Sequence, residues 1–191
     1  MDKEELPVVA FESEDAWEKW LEAHHASSNG VWMKFFKKRS ATPTIVYKEA
    51  LDSALCYGWI DSQVRKFDDN AYLQKFTPRR AKSVWSKINI EHISRLTKEG
   101  RMTPAGLEKV EAAKKDGRWD AAYASPANVT MPEDFKRALD ANEEAKRFFT
   151  TLNKANTYGI LTRIQFARKA ATREKRIREF IEMLARREKL H

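Results

Sequence analysis

Cysteine is almost absent, with Cys56 the only one in 191 residues. A lone thiol excludes an intrachain disulfide and any Cys-x-x-Cys zinc or redox pair. Long apolar runs are missing too. The longest stretch of note, Ala54 to Ile60, is broken by Gly58 and falls well short of the about 18 residues a membrane-spanning helix needs. Glycine is scarce, and the closest two of its six positions are Gly100 and Gly106. Neither GxGxxG nor GxxxxGK followed by Ser or Thr can therefore be written, which excludes the familiar phosphate-cradling loops. The opening MDKEELPVVAFESED is acidic and lacks the cationic start and apolar core of a secretory signal, so the expected location is the cytoplasm. His24 and His25 are adjacent and point about 100° apart on a helix, so they cannot grip one metal as an i, i+4 pair would. No metal and no cofactor are expected.

What is present is charge, unevenly spread. The formal net charge is +8, yet residues 1–78 hold 10 Lys/Arg against 13 Asp/Glu. Residues 79–102 hold 7 against 2, residues 103–155 balance at 9 each, and residues 156–191 hold 10 against 4. Two basic segments thus sit on a neutral body, and either suits a polyanion or an acidic partner. The length fits one domain, or one with a small extension, and roughly 70% of the unfolded chain's surface should be buried at this size.

Local signals give an element order. A helix over 13–25 is predicted, with Ser13 as N-cap, Glu14 and Asp15 in the first turn, and Trp17, Trp20 and Leu21 on one side. VWMKFFKK (31–38) reads as a strand without strict alternation, which predicts cover on both faces. Val46, Ala50, Leu51, Ala54 and Leu55 are spaced for a helix to about Tyr57, stopped by Gly58. Trp59–Phe67 and Ala71–Thr77 flank Asp68, Asp69 and Asn70, a hairpin pattern. Helices then follow from Ser86 to Glu99 and from Thr103, with Pro104 first, to Gly117. Further helices are expected at about 132–141, 143–153, 157–170 and 173–189, the last with an apolar stripe of Ile177, Phe180, Ile181 and Leu184. The expected fold is α+β: a small three-stranded sheet with flanking helices in residues 1–125, and an all-helical region, 126–191, packed on it. The loop from Ala124 to Met131 is the expected boundary.

Four blocks carry a resemblance: ALCYGWIDS (54–62), FTPRRAKSVWSKIN (76–89), EGRMTPAGLEKVEAAKKDGRWDAAY (99–123) and TREKRI (172–177). Together with Trp-x-x-Trp-Leu at 17–21, they make the chain similar to the YdeI/OmpD-associated family, also called bacteriocin-protection or OmdA-like. The resemblance implies a role in stress or envelope defence and brings no reaction with it. It also leads one to expect a small hydroxyl residue where Val46 precedes Tyr47, with Thr44 as the substitute helix cap.

Arg79, Arg80, Lys82 and Lys87 crowd the expected helix start at Ser86, and helix N-termini attract anions. Ser83 and Ser86 add hydroxyl donors, and guanidinium forks suit phosphate or carboxylate. The alternative is that Ser86 is only a cap and the arginines pair with Asp61, Asp68 or Asp69. Trp59 and Asp61, two apart on a strand, share a face and would suit a pocket wall, or Asp61 serves Arg79, Arg80 or Arg101. Trp85 and Trp119, with Tyr123, are pocket walls or packing. Cys56 lies near a helix C-terminus, which raises a thiol pKa, and His92 is the only mid-chain base available to it, so buried structural cysteine is expected. The candidate ligand site is therefore Trp59, Asp61, Arg79, Arg80, Ser83, Trp85, Ser86, Lys87, Arg101 and Trp119, for a small anionic ligand. The second reading is nucleic acid or an acidic protein on the tail (Arg163, Arg168, Lys169, Arg173, Lys175, Arg176, Arg178, Arg186, Arg187, Lys189). Against it, Glu174 and Glu182 stand four residues before Arg178 and Arg186 and would pair with them.

Overall fold

The Ser13 side chain accepts a hydrogen bond from the Ala16 N–H at 3.2 Å, which starts helix α1 (Glu14–His24) at the predicted cap. In the computed structural model, which describes residues 5–123, 129–167 and 169–190, the chain forms two compact units, 1–122 and 123–191. The expected boundary at 124–131 falls largely on residues 124–128, outside those described.

Unit 1 is built on a sheet of four strands, not the three the sequence suggests: β1 (Val8–Ala10), β2 (Val31–Phe36), β3 (Trp59–Lys66) and β4 (Ala71–Pro78), in the order β1-β2-β4-β3. β1 runs parallel to β2 across the α1 crossover, and the other pairs are antiparallel. Three residues carry no readable alternation, so only pairing with β2 reveals β1 as a strand. The inner face presents Val31, Met33, Phe35, Trp59 and Phe76 to Trp17 and Leu21 of α1 and to Ala50 and Ala54 of α2 (Tyr47–Cys56). The Trp17 indole N–H donates to the Ala50 carbonyl at 3.1 Å, so this buried donor is paired. The outer face is covered differently from the helix-backed inner one. Arg65 and Lys75 lie over Trp32, which is thereby buried.

α2 is sandwiched. Residues Ala50 to Cys56 are all buried, because its second side (Leu51, Leu55, Cys56) packs on α3 (Lys87–Lys98) and α4 (Pro104–Lys115) through Ile93, Leu96, Val110 and Ala113. Its start corrects an expectation. Val46 is the N-cap and the Glu49 carboxylate accepts from its N–H at 3.2 Å, while the buried Thr44 hydroxyl takes no part. Glu49 supplies the returning half of a capping box that valine, with no acceptor, cannot complete. At the far end Gly58 turns the chain at φ +73°, in the region that favours glycine. Thr103 caps α4 and also donates its hydroxyl to the Cys56 carbonyl at 2.7 Å. A Cβ on Gly106 would overlap that carbonyl, so the absence of a side chain lets α4 cross α2 this closely.

The described residues of unit 2 form four helices: α5 (Glu133–Asp140), α6 (Glu143–Thr150), α7 (Lys154–Gln165) and α8 (Ala170–Ala185). Asn142 and Asn153 cap α6 and α7 by accepting from the third N–H onward. The Asn153 cap starts α7 three residues earlier than the apolar spacing suggests. Likewise α8 begins at Ala170 and ends before Arg187, whose φ of 57° stops it. Phe135, Phe149, Ile160, Ile164, Phe180 and Leu184 form the core. Ile177 and Ile181, the other half of the predicted stripe, line an open groove with Ala138 and Ala170.

Candidate anion-binding site

β4 delivers Arg79 to the edge of the α3–α4 layer. The Arg79 N–H donates to the Gly58 carbonyl at 3.0 Å, fastening the strand's exit to the turn after α2. A tight turn follows, in which Ser83 N–H donates to the Arg80 carbonyl at 2.9 Å and the Ser83 hydroxyl accepts from Arg80 N–H at 3.1 Å. This turn folds the chain back so that the buried Trp85 ring lies beneath Arg79, whose guanidinium carbon sits 3.7 Å from the ring centroid. One Arg79 nitrogen donates to the Val84 carbonyl at 3.2 Å. Trp119 tilts against Trp85 at 5.0 Å and backs it.

Around this stack lies a pocket of about 230 Å³ lined by Arg79, Arg80, Ala81, Trp85, Glu108, Lys109, Ala112, Asp116 and Arg118. Four cations face two carboxylates. Arg118 is positioned by Asp116, which accepts its Nε–H through both oxygens at 2.8 Å, and by the Ser83 carbonyl at 3.0 Å. Lys109 stands 3.6 Å from Glu108. The exposed Arg80 guanidinium makes no hydrogen bond or ion pair among the described residues.

Three of the ten predicted residues, Arg79, Arg80 and Trp85, line this pocket, and Trp119 supports it from behind. The others lie elsewhere. The Ser86 hydroxyl accepts from Asn89 N–H at 3.1 Å as the α3 cap, the Ser83 hydroxyl is held in the turn, and Lys87 is exposed at the start of α3. Trp59 is core, and its indole N–H donates to the His25 carbonyl at 3.1 Å. Asp61 serves none of the arginines named for it and accepts from the Tyr47 hydroxyl at 2.7 Å. Burial, then that hydrogen bond, raises the tyrosine's pKa. Asp68 closes the hairpin by accepting two backbone N–H groups at 2.7 Å, and Asp69 pairs with Lys66.

Arg101 belongs to a separate network of unit 1. Its guanidinium donates to Glu14, to Glu18 at 2.8 Å and to the Ser53 hydroxyl. Burial lowers its pKa, and the hydrogen bonds to Glu14 and then Glu18 more than offset this, so the net shift is upward. Buried Asp52 likewise accepts from His92 Nδ1 at 2.7 Å and from Arg95 at 2.6 Å, clamping α3 to α2. This assigns His92 to a carboxylate. The Cys56 thiol is buried and pushed up to about 11 mainly by that burial, so it is held in the unreactive protonated form.

Lys109 and Arg118 were beyond sequence reasoning as site residues, although both stand in the third resembling block. On the tail, Arg173 pairs with Asp134, Lys175 with Glu179, Arg186 with Glu188 and Arg187 with Glu144. Arg186 thus closes on Glu188 instead of Glu182. Arg168 lies outside the described residues. Among the described residues no three His, Cys, Asp or Glu come together to hold a metal ion, and no helix is long and apolar enough to cross a membrane.

Residues 9–109 match the family model described as Domain of unknown function (DUF8412), and residues 128–187 match the one described as Bacteriocin-protection, YdeI or OmpD-Associated. No curated protein and no solved structure matches the chain. The first match covers most of unit 1 and includes Arg79, Arg80, Trp85 and Lys109; the second lies on unit 2.

Proposed function

We propose that this chain, which belongs to the DUF8412 family and carries a bacteriocin-protection, YdeI or OmpD-associated segment, is a binding protein for a small anion, acting in stress or envelope defence. The observation that carries this reading is the convergence of Arg79, Arg80, Lys109 and Arg118 on one pocket against only two carboxylates. Arg79 and Arg118 are held in place by an indole ring, backbone carbonyls and Asp116, so little of their freedom remains to be lost on binding. Arg80 supplies the exposed fork that closes on a phosphate or carboxylate group. Size limits the ligand: about 230 Å³ is below the roughly 300–1,000 Å³ of drug-sized ligand sites, which favours a phosphate ester or small carboxylate over a nucleotide.

The test is calorimetric titration with inorganic phosphate and with a small phosphate ester, followed in parallel by tryptophan fluorescence. Arg80→Ala should weaken binding by about tenfold or more, since a charge-assisted hydrogen bond is worth roughly 1.5–3 kcal/mol, while leaving the fold intact. Equal affinity in the wild type and in an Arg80→Ala/Lys109→Ala variant would reject the pocket. For the defence role, a strain lacking the gene should be sensitised to bacteriocins and rescued by the wild type but not by Arg80→Ala.

A further inference from the structure

We infer that the outer face of the unit 1 sheet is a docking surface for single-stranded nucleic acid. The register places Trp32 beside Lys75, Lys34 beside Leu73 and Arg65 beside Leu73, so these side chains share the face opposite the helices. Phe36 follows Lys34 on the same face, and Phe67 borders it at the hairpin. Along β2 the order is ring, cation, ring, at about 6.7 Å per step. Lys34 Nζ stands 4.8 Å from the Phe36 ring centroid and 4.1 Å from that of Phe67. The Arg65 guanidinium is 4.3 Å, and Lys75 Nζ 5.7 Å, from the Trp32 centroid.

Two features commit this face to a polyanion. No Asp or Glu occupies an outward position in any of the four strands, and among the described residues Lys34, Arg65 and Lys75 form no ion pair. An aromatic ring orients a cation through its quadrupole but carries no net charge, so three positive charges stay uncompensated. Two features then choose a single strand. Phe67, about half exposed at 49%, and the Arg65 guanidinium plane offer flat surfaces on which unpaired bases stack. Duplex bases are enclosed, and a flat sheet face offers no helix or ribbon to enter a groove. An acidic peptide would use the charges and ignore the rings. This inference is independent of the anion pocket, which shares none of these residues.

The experiment is fluorescence anisotropy with a labelled 12-nucleotide oligo(dT) on the full chain at 50 and 200 mM salt. A double-stranded oligonucleotide and a poly-glutamate peptide compete. Expected is single-strand binding with a logarithmic salt slope of about −2, the value for roughly three phosphate contacts. Lys34→Glu/Lys75→Glu should weaken it by at least tenfold, and Phe67→Ser by about fivefold or more, with unchanged circular dichroism. Arg80→Ala should leave it unaltered, which separates failure of this surface from failure of the pocket. Equal competition by the duplex or by poly-glutamate would overturn the inference in favour of bare charge or of an acidic protein. So would loss of binding on reversing Arg178 and Lys189 while the sheet-face variants bind normally.

Discussion

Among the described residues every cation–ring contact lies in unit 1, beside carboxylate pairs of the kind both units have. In unit 1 Lys34 lies on the rings of Phe36 and Phe67, Arg65 and Lys75 on Trp32, and Arg79 on Trp85, while Lys114, near Trp119, also pairs with Glu111. In unit 2, Arg173, Lys175, Arg186 and Arg187 lie on carboxylates. All six tryptophans fall in unit 1. A carboxylate cancels the charge it holds, whereas a ring holds a cation and leaves its charge to meet an anion. Four of the tail's ten cations pair with carboxylates among the described residues, so net charge per segment overstates what the tail offers an anion.

The contrast is broken most severely at the ring beneath Arg79. Trp85→Ala removes a buried indole from the α2–α3–α4 layer and should cost about 3–5 kcal/mol, read as a shift in the urea midpoint. A loss under about 1 kcal/mol would mean the ring does not hold that layer together. Next comes an ion-paired cation of unit 1, Arg101, held by Glu14 and Glu18. Arg101→Met leaves two neighbouring carboxylates to repel each other and should cost about 1–2 kcal/mol, less than for a fully buried pair because all three are about a third exposed. Smallest is the effect in unit 2. Arg173, through its hydrogen bonds, holds the Asp134 carboxyl below the usual carboxylate range. The pair's contribution is thus full above about pH 4 and fades as pH falls through the lowered value. Asp134→Asn should remove that acid-side loss, a change under about 1 kcal/mol, seen in denaturation midpoints at pH 3 against pH 6. An unchanged acid limb would show that the pair contributes nothing to stability.

How far the elements could be read follows from the same chemistry. Ser13, Ser86, Thr103 and Pro104 are short-range signals, and each cap stands where the sequence placed it. The hairpin turn at Asp68–Asn70 is likewise local. β1 escaped because three residues show no period, and the α7–α8 junction shifted because neither glycine nor proline punctuates it. In the pocket, Arg79, Arg80 and Trp85 were legible because they are nearly consecutive. Lys109 and Arg118 arrive from α4 and beyond, brought over by the close crossing at Gly106.

Spacing and composition alone are enough for most of the helices, the hairpin and the confinement of tryptophan to the first two-thirds of the chain. Those depend on interactions within a few residues, which spacing and composition record. Which partner each cation keeps came from the folded chain: Arg101 reaches back to Glu14 and Glu18, Asp52 takes His92 and Arg95, and Arg65 crosses strands to Trp32. A long flexible side chain carries the same charge in every context. What it meets is set by packing between elements distant in sequence.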